Sequence, residues 1–227
     1  MHRQSPNRSR DNLELGVRGK RSRREREIAK LAARQLGVVT RAQLLRIGLT
    51  RDAIDNRVKS ARLHPIYRAV YLLGHPRPTD GARELAAVLA CGPSAVASHR
   101  SAAGLWRLLP GRGDLPDVTV PGRDCRRRGI RVYLVAALDH RDVRTVRGIP
   151  VTTPARTLLD LAAVVTTREL EQALAEAHAR RLARRGDLLS VLARAGRRPG
   201  AAALRSLIEA DITPALTWSE GRNDSSR

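Results

Sequence analysis

The sequence predicts an α+β chain in two parts: an N-terminal winged helix-turn-helix over residues 23–75, and a mixed domain over 79–210 with a small sheet against several helices. Three observations carry this. Between Thr40 and Leu73 two short stretches of helical spacing, separated by Gly48, run straight into a stretch rich in tyrosine and apolar residues. Gly-His-Pro-Arg-Pro at 74–78 then places two prolines in three residues, a stiff linker and the expected domain boundary. Beyond it, helical spacing alternates with strand spacing around 117–120 and 129–135.

Residues 1–22 are polar and rich in Arg, Ser and Asn, with Leu13, Leu15 and Val17 as scattered apolar positions. They read as a disordered basic tail, and alternatively as an arm that adds phosphate contacts. A helix from Arg23 to Leu36 follows, with Ile28, Leu31, Ala32 and Leu36 on one side and Gly37 as its stop. Thr40 and Gln43 have the spacing of a capping box and open a second helix carrying Leu44, Leu45 and Ile47. Gly48 allows a tight exit and Thr50 caps a third helix, anchored by Ile54 and Val58. At about 100° per residue, the opposite side presents Asp52, Asn56, Lys59 and Ser60, flanked by Arg51 and Arg57; Arg41 on the preceding helix is counted with this face. An amide among cations on an anchored helix suits the major groove of duplex DNA. Residues 62–72 read as two short strands bent at His64-Pro65, a basic hairpin whose Arg62 and Arg68 would meet phosphates. The competing reading is plain packing, because any three-helix bundle needs such a stripe and such turns.

The formal charge is +21, from 43 basic and 22 acidic residues; all but Lys20, Lys30 and Lys59 of the basic ones are arginine. Arginine and alanine enrichment partly reflects coding bias, so the distribution carries more weight than the total. Residues 28–75 hold +7 over 48 positions, whereas 76–227 hold +9 over 152. That concentration favours a polyanionic partner at the N-terminal end. Two tryptophans, three tyrosines and no phenylalanine supply few stacking platforms for single strands, leaving duplex DNA as the better polyanion. Cys91 and Cys125 lack paired spacing and fit a reducing cytoplasm. No apolar run approaches a bilayer span, and the N-terminus has no apolar core of a secretory signal. A cytoplasmic protein without membrane contact is expected.

In the second part, Thr79 or Asp80 caps a helix through Ala90, and another helix covers Ser98 to Leu108. Strands are expected at 117–120, 129–135 and 149–151, with a polar turn at Asp124 to Arg128. Pro154 opens a helix at its first turn, where its missing N–H has no partner to lose. Amphipathic helices at Thr167–Leu182, Leu188–Ala195 and Ala201–Ala210 complete it. After Asp211 the apolar pattern ends, and 211–227 reads as a disordered, truncated tail.

No catalytic centre, metal site or cofactor is expected. A restriction-type nuclease needs Glu/Asp-x-Lys to hold a metal, but the residues two before the lysines are Arg18, Ile28 and Arg57. A Gly-Ser loop, a phosphate-binding Walker run and a dinucleotide fingerprint are all missing. Ser98-His99 sit side by side at a helix start, where nucleophile and base do not easily line up. Thr152, Thr153, Arg156 and Asp160 form a second cluster. Arg156 and Asp160 have ion-pair spacing on one helix face, serving either that helix's packing or contact with a partner or promoter.

The run from Ile28 to Gly74 resembles the winged-helix domain of AbiEi-type antitoxins of type IV toxin–antitoxin systems. SHRSAAGLW at 98–106 and GIPVTTPARTLLDLA at 148–162 resemble the second domain of the same group, and are the more specific part. The resemblance spans roughly residues 23–210. Longer relatives continue into an endonuclease-like domain, whose start Leu216 to Glu220 resembles. The resemblance implies a repressor of its own promoter at inverted repeats in double-stranded DNA. It also implies a nucleotidyltransferase toxin that the protein opposes without obligatory direct contact. Two other readings stay open: the regulatory remnant of a nuclease fusion, and a non-catalytic protein-interaction module.

Overall fold

In the computed structural model, which describes residues 22–110, 115–122 and 125–210, helix α1 covers residues 22–34. The expected disordered tails, apart from Ser22, lie outside the described residues. Leu36 and Gly37 take positive φ and turn the chain into strand β1, Val38–Thr40. Helix α2, Arg41–Arg46, starts in the predicted capping box: Thr40 accepts from Gln43 N–H, and the Gln43 side chain accepts from Thr40 N–H at 2.9 Å. Helix α3, Arg51–Lys59, is capped by Thr50, which accepts from Ala53 N–H. Strands β2, Leu63–Tyr67, and β3, Val70–Leu73, follow as an antiparallel hairpin. The order β1-β3-β2 makes a three-stranded antiparallel sheet, the arrangement of a winged helix. Ile28, Val39, Leu44, Ile54, Leu63 and Tyr71 close its core, so the fold fixes which side of α3 faces inward.

Two expectations for this region change. Strand β1 is a finding: three residues are too few to show a period. The hairpin bends at Arg68-Ala69, with Ala69 at φ +62°, not at His64-Pro65. Pro65 sits inside β2 because β2 is the edge strand, where a residue without an N–H loses no ladder bond.

The chain divides into compact units Met1–Ala90 and Cys91–Arg227. The division falls after Ala90, so helix α4, Ala82–Cys91, expected to open the second part, groups with the first. Prolines at 76 and 78 interrupt hydrogen bonding without severing contact: Thr79 Oγ1 still donates to Leu36 O at 3.4 Å.

The C-terminal unit is a five-stranded mixed sheet of order β6-β5-β4-β8-β7 with helices against it. Strands β5, Asp117–Pro121, β6, Arg131–Val135, and β8, Ile149–Thr152, lie where the sequence placed them. Strands β4, Val96–Ala97, and β7, Val143–Val146, were not foreseen. Helices α5, His99–Trp106, and α6, Pro154–Leu161, follow β4 and β8, which run parallel to each other. Helices α7, Thr167–Ala179, α8, Arg185–Ala195, and α9, Ala201–Ala210, surround α6, whose Leu158, Leu159 and Leu161 anchor the core. Mixed α+β architecture is thus the fold class of the chain.

Gly200, at φ +83°, lets the start of α9 approach the end of α6: a Cβ there would lie 2.5 Å from Ala162 C and 2.6 Å from Ala163 N. Gly200→Ala combines left-handed strain with backbone overlap. It is expected to cost about 2–3 kcal/mol, read as a lowered urea midpoint at unchanged slope. Wild-type stability in this variant would mean that the two helix ends are not held in contact.

Candidate nucleic-acid interface

The buried side of α3 is Ile54, fully enclosed, with Val58 half-buried beside it. The opposite side leaves Arg51, Asp52, Asn56, Lys59 and Ser60 exposed, as predicted. Arg62, just before the hairpin, and Arg68, at its tip, are exposed as well. Arg51, Lys59, Arg62 and Arg68 form no ion pair with any described residue.

Two expected members of this face are occupied elsewhere. The Arg41 guanidinium donates to both oxygens of Asp55, at 2.7 and 3.3 Å, and to Tyr71 Oη at 3.4 Å. The Asp55 bond raises Arg41's pKa, and Arg41 in turn holds the Asp55 carboxyl below its usual range. Arg57 pairs with Glu25 of α1 and donates to Ala53 O at 3.2 Å. Arg41 and Arg57 are therefore struts that orient α3 against the hairpin and α1. Sequence reading missed both partner carboxylates, Asp55 and Glu25. Asp55 is one turn before Lys59, but neither it nor Glu25 lies near its arginine in sequence.

A groove of about 570 Å³ separates α3 from the hairpin, lined among others by Asp55, Lys59, Pro65, Tyr67 and Arg68. On the other flank a depression of about 340 Å³ is lined by Arg24, Asn56, Ser60 and Arg62. The helix thus stands proud between two clefts, with Lys59 on the hairpin side and Asn56 on the α1 side. A helix about 10–12 Å wide so exposed can enter a major groove about 12 Å wide while the hairpin tip meets the backbone beside it.

In the C-terminal unit, parallel pairing of β4 with β8 brings the two distant motif runs together. Trp106 Nε1 donates to Thr152 O at 2.7 Å, joining α5 to the end of β8. Thr153 caps α6 by accepting from Arg156 N–H, and Thr152 and Thr157 hydroxyls bond each other at 2.8 Å. Ser98 is fully buried, accepts from Thr119 Oγ1 at 2.8 Å and bonds His99 Nδ1 at 2.9 Å. Rather than Ser98, Asp117 caps α5, accepting from Arg100 N–H. His99, at φ +46°, stacks on Tyr133 with centroids 3.4 Å apart. Burial first, then Arg156, Arg198 and Arg131, push its pKa down to about 3, so the ring is neutral. Ser98 and His99 thus hold the end of β4 against β5 and β6.

The Arg156–Asp160 pair is present at 2.9 Å and is buried. It belongs to a longer alternating ladder. Arg156 also reaches Asp142 at 3.2 Å, Arg194 donates to Asp142, and Arg198 donates to Asp160 at 3.1 Å. The ladder ties α6 to α8, to the segment before α9 and to the 3-10 turn His140–Asp142.

Compared with known proteins, the chain matches no family model and no curated protein. Among solved structures it is similar to the crystal structure of the RV2827C protein from Mycobacterium tuberculosis, with a TM-score of 0.54 and 16% identity over 92% of this chain and 83% of that one. That likeness is one of fold. Among the described residues no helix is long and apolar enough to cross a membrane.

Proposed function

We propose that the chain is a cytoplasmic DNA-binding transcriptional regulator that reads a duplex operator through α3 and the β2–β3 hairpin. The observation that carries this is the outward stripe of α3, Arg51, Asn56 and Lys59 opposite buried Ile54, flanked by the exposed hairpin-tip Arg68. Its resemblance to AbiEi-type antitoxins supports a role as repressor of its own promoter, opposing a nucleotidyltransferase toxin. In this reading the protein is not an enzyme.

Asn56 can bond an adenine edge in two places, whereas Arg68 would meet phosphate. Asn56→Ala is expected to cost roughly 1–3 kcal/mol on the cognate duplex and little on scrambled DNA. Arg68→Ala should weaken both duplexes alike and lower the salt slope by about one unit. Salt titrations by fluorescence anisotropy on both duplexes measure this. Should neither substitution change affinity for any duplex, α3 and the hairpin would be a packed domain and not a reader.

A further inference from the structure

Helix α3 exposes two carboxylates on a surface proposed to meet a polyanion. Asp55 is neutralised by Arg41 in a two-point hydrogen-bonded pair, with Lys59 also close enough to lower its pKa. Asp52 has no such partner. It is exposed, lies on the same side of α3 as Asn56 and Lys59, and makes no hydrogen bond or ion pair with any described residue. Its neighbour Arg51 is likewise unpaired.

A bare carboxylate pressed against DNA is repelled by phosphates and by guanine O6 and N7, thymine O4 and adenine N7. The major groove presents two donors in all, the cytosine N4 amine and the adenine N6 amine. Adenine sets its N7 acceptor beside that amine, so it suits an amide, which has both donor and acceptor. Cytosine has a donor with no acceptor beside it on its own edge, and a carboxylate, which only accepts, fits it. The second position of a recognition helix is among those that reach base edges.

Resting on the DNA-reading function proposed above, we infer that Asp52 is a specificity-determining residue that accepts from a cytosine N4 amine and rejects other bases at that position. Asp52 and Asn56 are four residues apart, about 6 Å along the helix axis, and base pairs are spaced about 3.4 Å. The cytosine therefore falls within about two base pairs of the position that Asn56 reads. Much of the discrimination is repulsive. Removing the carboxylate relaxes the choice of base and strengthens binding to non-cognate DNA.

The test is selection from a randomised duplex library with the full chain, wild type beside Asp52→Ala and Asp52→Asn, followed by affinity measurement on the selected and a scrambled duplex. Wild type is expected to enrich one cytosine within two base pairs of the position relaxed by Asn56→Ala. Asp52→Ala should lose that enrichment and bind the scrambled duplex three- to tenfold more tightly, while Asp52→Asn should shift the preference from cytosine towards adenine. An unchanged preference in Asp52→Ala overturns the inference. So does equal weakening on every duplex with a lowered melting temperature, which would reduce Asp52 to a partner of the helix dipole. If wild type enriches no sequence while Asn56→Ala and Arg68→Ala leave binding unaltered, the DNA-reading function itself is lost, and the inference with it.

Discussion

Arg156→Ala is expected to destabilise the C-terminal unit by about 3–5 kcal/mol, because it leaves buried charge uncompensated. Arg156 is 5% exposed and lies between Asp142 and Asp160, both 4% exposed. Its Nε serves Asp160 and its Nη1 serves Asp142, so one guanidinium neutralises two carboxylates that solvent cannot reach. Arg194 and Arg198 remain on the outer sides of the ladder, each less than a third exposed, and do not replace the central cation. Urea unfolding followed by circular dichroism measures the loss. A second variant gives the sharper result. Combining Arg156→Met with Asp160→Leu removes a charge together with one of its partners, and should be more stable than Arg156→Met alone. If the double variant is instead less stable by the sum of the two single losses, the ladder is not an electrostatic unit.

Acidification from pH 6.5 to 4.5 is expected to remove up to about 1.4 kcal/mol of stability per pH unit through His99 alone. Its folded pKa, about 3, lies below the ordinary histidine value of 6.5. Between those values the unfolded chain binds a proton there that the native chain refuses. The stability held by the neutral ring is thus fully present above pH 6.5 and lost as pH falls towards 3. Choosing the window above pH 4.5 separates this from Glu169, whose carboxyl is held down to about 2 by Arg100 and by Thr166 N–H and adds its own loss only below the ordinary glutamate value of 4.5. His99→Asn keeps a residue that tolerates the left-handed backbone and removes the titrating ring. Melting temperatures of wild type and His99→Asn across the window should converge as pH falls. Parallel curves would show that His99 takes up its proton in the folded state.

Local chemistry made the helices legible. The capping box at Thr40 and Gln43, the cap at Thr50 and the proline at the first turn of α6 each act within four residues, and apolar spacing then fixes one buried side. The same reasoning placed Asn56 and Lys59 outward on α3 and joined Arg156 to Asp160 one helical turn apart. Strands of two or three residues escaped it. Val38–Thr40 and Val96–Ala97 are too short for alternation to show, and their partners are supplied by chain at distances that no local pattern encodes.

What the tertiary structure alone decided is how each arginine is used. In a chain with 43 basic residues, composition marks every arginine as a possible phosphate contact. Folding withdraws Arg41 to Asp55, 14 positions away, and Arg57 to Glu25, 32 positions away, and leaves Arg51, Arg62 and Arg68 open. It likewise extends the local Arg156–Asp160 pair to Asp142 and Arg194, which are 52 positions apart from each other. Helix-face pairs are set by a repeat of 3.6 residues, so sequence determines them. Pairs between elements depend on which strands neighbour one another in the sheet, and that order is settled only when the apolar faces of the whole unit are buried together.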